Sequence, residues 1–350
     1  MNRFRMNIIK GGLTALTATG APYLLSGLTR GRGVIFTLHH VLHESDDAFQ
    51  PNRILEVTPD FLERAVGRIR KAGYEIIPIT EVAERLRQPD GKRFAVLTFD
   101  DGYRDNLENA YPILKALDCP FTIYVATSMP DGTAELWWRV LETVIANRNQ
   151  FEVKFDGFPA GFNTETPDEK YKAYETIYWW LRKQTQDHQR AFIREMAARY
   201  EVDMGAMTRR LAMGWDEISV LAQDSLVTIG AHTVNHYALA AIAEDRAEAE
   251  IANSAEILES YLPARPRHFA YPYGDKGSAA LREFALARDC GFETGVTTRP
   301  GVLFGAHANH LHALPRISLN GEFQAMHYLD TFLSGIPSLV FNKGRRLNVA

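Results

Sequence analysis

The chain has little cysteine. Cys119 and Cys290 are the only two in 350 residues, too few for a disulfide framework and not spaced as the C-x-x-C pairs of a zinc ribbon. Any metal must therefore be held by imidazole and carboxylate, and 11 histidines leave room for that. The chain also lacks an excess of one charge. Its 39 basic and 43 acidic residues leave a net −4, not the cationic surface that binds nucleic acid by neutralising phosphates, so no nucleic-acid partner is expected. Repeats and low-complexity tracts are missing too, and 46% hydrophobic with 23% charged residues is the balance of a globular protein, not a disordered one. Finally, there is no long apolar run. The stretch from Ile8 to Leu28 is interrupted by Lys10, Gly11, Gly12, Gly20 and Pro22, which argues against a membrane-spanning helix and makes a poor signal peptide. With Arg3 and Arg5 ahead of it and Arg30 and Arg32 behind, it reads as an amphipathic helix that packs on the fold or makes peripheral contact with a membrane surface. The two free thiols and the weak leader favour a cytoplasmic or inner-membrane-associated location over a periplasmic one.

What is present is a rhythm of short apolar runs and amphipathic segments beginning at Gly33. Val34 to Leu38, Tyr74 to Ile79, Phe94 to Phe99, Phe121 to Val125, Leu226 to Ile229, His268 to Tyr271 and Phe292 to Thr297 read as strands. Between them, Thr58 to Gly73, Glu81 to Leu86, Asn106 to Leu117, Ala243 to Leu262 and Ser278 to Cys290 read as helices, the first with Thr58 as cap and Pro59 at its first position. Repeated βα units predict an α/β fold on a parallel sheet, open or closed into a barrel. About 85 residues between Met129 and Trp215 break the rhythm. They read as a helical insertion rich in aromatics (Trp137, Trp138, Tyr171, Tyr174, Tyr178, Trp179, Trp180), with a loop from Gly157 to Thr166. Those rings are expected chiefly as the insertion's own core, with sugar stacking as the lesser role for a few of them. The expected organisation is a targeting or amphipathic segment at 1–32, a barrel at 33–319 with the insertion at about 130–215, and a C-terminal helix and tail at 320–350.

Two motifs carry chemistry. Thr98-Phe99-Asp100-Asp101-Gly102-Tyr103 ends an apolar strand. Neighbouring side chains in a strand point to opposite faces, but Gly102 lets the chain leave the pleat there, so that both carboxylates can converge on one pocket. The C-terminal edge of a parallel sheet is also where α/β active sites are built. His232-Thr233-Val234-Asn235-His236 stands at the end of another strand. If it turns helical, His232 and His236 share one face at i, i+4 spacing. A metalloprotease would carry Glu after the first His. Thr233 stands there instead, so a base must come from elsewhere. Asp101, His232 and His236 make a two-His, one-carboxylate set with open positions, as catalytic zinc requires. Non-haem iron(II) oxygenases use the same set.

These two motifs, with Phe269-Ala270-Tyr271-Pro272-Tyr273-Gly274, resemble the first three motifs of the NodB-like polysaccharide deacetylases, carbohydrate esterase family four, over Gly33 to Leu319 outside the insertion. The resemblance implies a distorted (β/α)7 barrel, a divalent metal (Zn2+, with Co2+, Ni2+ or Fe2+ as alternatives) and removal of acetyl groups from sugars. It implies Asp100 as general base and Asp101, His232 and His236 as metal ligands. It further gives Tyr103 as a backbone N–H donor to the oxyanion, and Tyr273 as a substrate-binding residue. Two positions depart from the family pattern. Ala270 stands where the third motif carries an Arg that orients the catalytic Asp, and Leu314-Pro315-Arg316-Ile317 lacks the acid His of the last motif. The chain is thereby similar to the permuted subfamily of biofilm poly-N-acetylglucosamine deacetylases, whose acid His comes from a strand near the N-terminus. Leu38-His39-His40-Val41 fits that place. His39 is then the expected acid, with His40 as its rival, and Arg316 the expected orienter of Asp100; His43, four after His39, imitates the spacing of a metal pair, but a strand end followed by loop argues against one.

The implied activity is hydrolysis of N-acetyl groups on an amino-sugar glycan, a metal-bound water attacking the acetyl carbonyl. A deacylase of another amide or ester (O-acetyl, ureide or formamide) and a non-catalytic glycan-binding relative are the alternatives.

Overall fold

The computed structural model describes residues 3–88, 91–153 and 161–349. Seven parallel strands close into a ring in plain chain order: β1 (Gly33–Leu38), β2 (Phe94–Phe99), β3 (Phe121–Val125), β4 (Val227–Ala231), β5 (His268–Ala270), β6 (Thr294–Pro300) and β7 (Leu314–Ser318), with β7 returning to pair with β1. A pair Glu75–Ile76 adds onto the start of β2, outside the ring. The strand expected over Tyr74 to Ile79 is thus cut to two residues, because Pro78 has no N–H for a ladder and the chain turns into a 3-10 helix at Ile79–Glu81. The ring's last strand, β7, is not among the strands read from the sequence, and it holds two residues unusual in a strand, Pro315 and Arg316. Each finds a reason here: the register between β6 and β7 shifts beside Pro315, and Arg316 points inward to a charge.

Period-two alternation sorts the strand residues into two cores. Ile35, Val96, Tyr124, Ala270, Val296 and Leu314 fill the barrel interior. Phe36, Leu38, Leu97, Phe99, Phe121 and Ile123 face outward, under helices that include Pro59–Lys71 and Glu244–Tyr261. Both faces of β1 and β2 are therefore buried, as expected of parallel strands. Thr58 caps its helix by accepting from the Phe61 N–H at 3.1 Å. The helix expected from Asn106 opens instead as a π turn, Asn106–Ala110, before the α-helical Tyr111–Ala116.

The insertion folds as helices Trp137–Ala146, Pro167–Leu181, Gln186–Arg199 and Met204–Leu211 around a third core that reaches down to Tyr103 and Ala126 at the barrel rim. The loop expected from Gly157 lies outside the described residues as far as 160. From Gly161 the chain is a short strand, Gly161–Asn163, antiparallel to Gln150–Glu152. Ahead of β1 in the chain, helix Arg3–Ala18 buries Met6 and Leu13 against Phe323, beside Tyr328 and Phe332. Helices Met326–Leu333 and Ile336–Phe341 form the C-terminal segment. They are joined at Gly335, whose φ of 76° and the 2.0 Å that would separate any Cβ from the Thr29 carbonyl leave room for glycine alone. None of the helices is long and apolar enough to cross a membrane.

Two histidines outside the barrel mouth are buried in the neutral form. Burial pushes His268 and His307 down to about 4, and Nε2 of each has no hydrogen-bond partner among the described residues. Between pH 6.5 and 4 the unfolded chain therefore binds protons that the folded chain refuses, so stability must rise with pH across this window. We expect each histidine to cost about 1–3 kcal/mol of stability by pH 4. Urea titrations of the native protein and of His268→Gln/His307→Gln between pH 4 and 7 would check this: the double variant should lose most of that slope.

Candidate active site

The site is assembled at the C-terminal mouth of the barrel from strand ends. The alternation that sends Ile35 and Val96 inward continues through Thr37 and Thr98 to His39 and Asp100, because β1 and β2 run in register with Thr37 beside Thr98. The Asp100 N–H still bonds to the Leu38 carbonyl at 3.0 Å. One residue on, the pleat ends: Asp101 has a φ of 78° and Gly102 one of 90°. Without that left-handed step Asp101 would point away from Asp100. With it, both carboxylates line the same cleft, both almost fully buried.

The two carboxylates meet different partners. Asp100 is held by Arg316, whose NH1 and NH2 donate to Oδ1 and Oδ2 at 2.7 and 2.6 Å, a bidentate pair. Arg316 is itself fixed by donating Nε to the Thr297 carbonyl and NH1 to Thr98 Oγ1. Burial would raise the Asp100 pKa, but Arg316 outweighs it and holds the carboxyl below its ordinary range. Ala270, where an Arg was expected by family pattern, contributes its carbonyl instead, accepting from His232 Nδ1 at 2.7 Å.

Asp101 Oδ1 lies 3.4 Å from His232 Nε2 and 3.2 Å from His236 Nε2. The donor atoms of the three residues fall within 4.8 Å of one another. The expected helix at 232–236 does not form. Thr233 and His236 have φ of 67° and 56°, and Thr233 Oγ1 accepts from the His236 N–H at 2.9 Å, so a tight turn rather than a helical face brings the imidazoles together. Three observations fit this set to a cation. The Ala270 carbonyl fixes the proton of His232 on Nδ1 and leaves the Nε2 lone pair facing Asp101. Asp101 Oδ1 is buried without a hydrogen-bond donor. And the pocket favours the ionised carboxylate: burial alone would raise Asp101, yet the neighbouring imidazoles, His236 first, hold it well below the ordinary range. A divalent ion among two imidazoles and a carboxylate would satisfy all three.

His39 borders the cleft, partly exposed, with its carbonyl accepting from Asn106 Nδ2 at 2.7 Å. Burial lowers its pKa despite the opposing carboxylates Asp101 and Asp100. His40 points the other way. It is fully buried, its Nδ1 is 2.7 Å from Asp105 Oδ2, its Nε2 is 3.0 Å from Arg139, and its ring stacks on Tyr103 at 3.6 Å. His43 does not line the cleft. The Tyr103 ring is buried against His40, while among the described residues its backbone N–H has no acceptor. Tyr273, with a φ of 61°, packs edge-on to His236 and accepts from Trp137 Nε1 at 2.8 Å.

Sequence reading missed the network of Asp105, His40, Arg139, Glu56 and Glu142 beneath Tyr103. Its one local signal is Asp105 itself, four residues after Asp101. The cleft measures about 990 Å³, large for a small molecule and ample for a few sugar rings. Trp137, Trp138, Tyr174 and Tyr178 make the insertion core and one cleft wall at the same time, and Trp179 stands half-exposed on its lip.

Residues 87–295 match the model of the family described as polysaccharide deacetylase. The chain belongs to the polysaccharide deacetylase family. The matched stretch contains the motifs at Asp100–Asp101 and His232–His236 together with Ala270; it begins after β1 and ends short of β7, so His39 and Arg316 lie outside it. Among curated proteins this chain is similar to the poly-β-1,6-N-acetyl-D-glucosamine N-deacetylase of Escherichia coli (strain K12), 24% identical over 79% of this chain and 35% of that protein. It spans about a third of the length of that relative and of its Escherichia coli O157:H7 counterpart. Its fold is shared with the deacetylase PplD of Streptococcus pyogenes, solved with acetate, at TM-score 0.57 and 20% identity, covering 85% of this chain and 97% of that one. It is shared too with IcaB from Ammonifex degensii, at TM-score 0.54 and 17% identity, covering 87% and 97%. The seven-stranded barrel that the motifs implied is the one these structures have.

The Arg316–Asp100 pair makes the site a structural element as well. Removing one partner of a buried ion pair strands the other, at about 3–5 kcal/mol. Arg316→Met should lose that much in urea denaturation, and adding Asp100→Asn should recover a substantial part of it.

Proposed function

We propose that this protein is a metal-dependent hydrolase that removes N-acetyl groups from an amino-sugar polysaccharide or oligosaccharide. The observation that carries the reading is the division of labour between adjacent carboxylates: Asp101 faces two imidazoles, Asp100 faces Arg316. Two like charges so close would normally force one to protonate. Here both stay ionised, one as ligand and one free to accept a proton. The glycan class is supported by the substrate named for the Escherichia coli relative and by the aromatic cleft.

Asp101, His232 and His236 would hold the ion, zinc in the first instance, with cobalt, nickel or iron accepted by the same donors. Once bound, such an ion polarises the acetyl carbonyl and lowers the pKa of water. The rest falls to the chain. Asp100, kept ionised and oriented by Arg316, takes the proton of the attacking water. The Tyr103 N–H, without another acceptor, donates to the developing oxyanion. His39 gives a proton to the departing amine nitrogen, a role closed to His40 because both its ring nitrogens are engaged. Tyr273 braces His236 and shapes the cleft floor. The placement of His39 and Arg316 supports a catalytic protein over a merely glycan-binding relative.

The test is acetate release from N-acetylglucosamine oligomers by metal-stripped and metal-restored protein, with acetylxylan as comparison. Binding of the oligomers without acetate release in any metal would overturn the proposal; preference for acetylxylan would redirect it to an O-deacetylase. Asp100→Asn should keep its metal in elemental analysis and lose about 10²–10⁴ in rate, whereas His236→Ala should lose both. The pH–rate profile should be a bell whose descending limb, set by His39, falls below the ordinary histidine value of 6.5, and His39→Gln should remove that limb. Trp179→Ala should raise KM about 3–10-fold with little change in kcat, as expected for one lost stacking contact.

A further inference from the structure

The two ends of the chain form a cationic, partly apolar pole, and we propose that it docks the protein onto an anionic phospholipid surface. The sequence has no Asp or Glu before Glu44 and none after Asp330. Over the same segments it has Arg3, Arg5, Lys10, Arg30, Arg32, Lys343, Arg345 and Arg346, in a protein whose net charge is −4. The fold brings the segments together: helix Ser26–Thr29 meets helix Ile336–Phe341, with Thr29 Oγ1 donating to the Ser334 carbonyl. The nearest acids do not neutralise the pole's outer cations, since Glu322 is paired with Lys10 and Asp330 with Arg68. Lys343, Arg345 and Arg346 are exposed.

The same elements carry large apolar side chains in water. Leu24 is 83% exposed, Leu28 71%, Val340 71% and Phe341 66%. Single exposed apolar residues are ordinary, but a cluster ringed by cations marks an interaction surface. Because none of the helices is long and apolar enough to span a bilayer, the fitting geometry is one that lies on it: apolar side chains among the acyl chains, lysine and arginine at the headgroups. A protein partner would need its own acidic, apolar face; an anionic leaflet supplies both features everywhere.

The test is co-sedimentation of the full chain with phosphatidylcholine vesicles, with and without phosphatidylglycerol. The native protein should bind only the anionic vesicles, and less as salt is raised. Leu24→Ser/Leu28→Ser/Phe341→Ser should weaken binding at least tenfold, and each cation removed in Lys343→Gln/Arg345→Gln/Arg346→Gln by about fivefold, with thermal melting unchanged in both. The proposal is overturned if native protein ignores anionic vesicles, if the variants bind as well as it does, or if sedimentation shows that these side chains instead close a dimer. None of these outcomes depends on whether acetate is released.

Discussion

Everything at this barrel mouth depends on keeping two consecutive carboxylates ionised within one buried pocket. Desolvation acts against both, and their mutual repulsion adds to it. The fold answers this by giving each its own partners from a different direction: Arg316 rises through the barrel interior to Asp100, and the imidazoles of His232 and His236 meet Asp101 from the β4 side. The φ of 78° at Asp101 is what separates the two sets of partners. A strained backbone of this kind persists only where its surroundings determine it. Here the Asp100 N–H locked to β1 on one side and the Tyr103–Ala212 bridge on the other do so.

The route by which Arg316 reaches Asp100 follows from ring closure. Alternation leaves one inward row per strand, and ring closure makes β7 the neighbour of β1. An arginine two residues past the interior Leu314 therefore reaches the same point in space as one projecting from β5 would. With Ala270 on β5, that strand's inward position is small and apolar, and the charge comes from across the ring. The same closure puts His39, at the end of β1, next to Asp100, at the end of β2.

How much of this could be read from the sequence followed from where local signals exist. Phe94–Phe99 and Phe121–Val125 are uninterrupted apolar runs, and their limits were legible to the residue. Asp100 and Asp101 were legible because Gly102 marks a break at the end of such a run. β7 was not, since Pro315 and Arg316 violate strand composition for reasons that exist only in the assembled ring. The histidine pair shows a subtler gap. Its spacing suits a helix, and the residues do meet, but through the left-handed Thr233 and His236 and a side-chain bond to the turn. Spacing reported proximity and was silent about the geometry producing it. For the insertion, composition could not separate core from cleft wall because Trp137 and Tyr178 serve as both.

His39 and His40 show most directly how position alone assigns chemistry. The two are adjacent and identical, so nothing in their own composition distinguishes them. Strand parity sends them to opposite sides: His39 continues the inward row to the cleft, and His40 turns outward under Tyr103. Once there, His40 has each ring nitrogen occupied, by Asp105 and by Arg139, and Arg139 is anchored in turn by Glu56 and Glu142. A ring so held can transmit no proton to substrate, but it is well placed to fix the plane of Tyr103 and hence the direction of the backbone that follows Asp101. Because Arg139 belongs to the insertion and Glu56 to the barrel domain, this network also ties the cleft wall to the loop that carries Asp101. The insertion is thereby part of what holds the site's geometry, as well as the surface a glycan would meet.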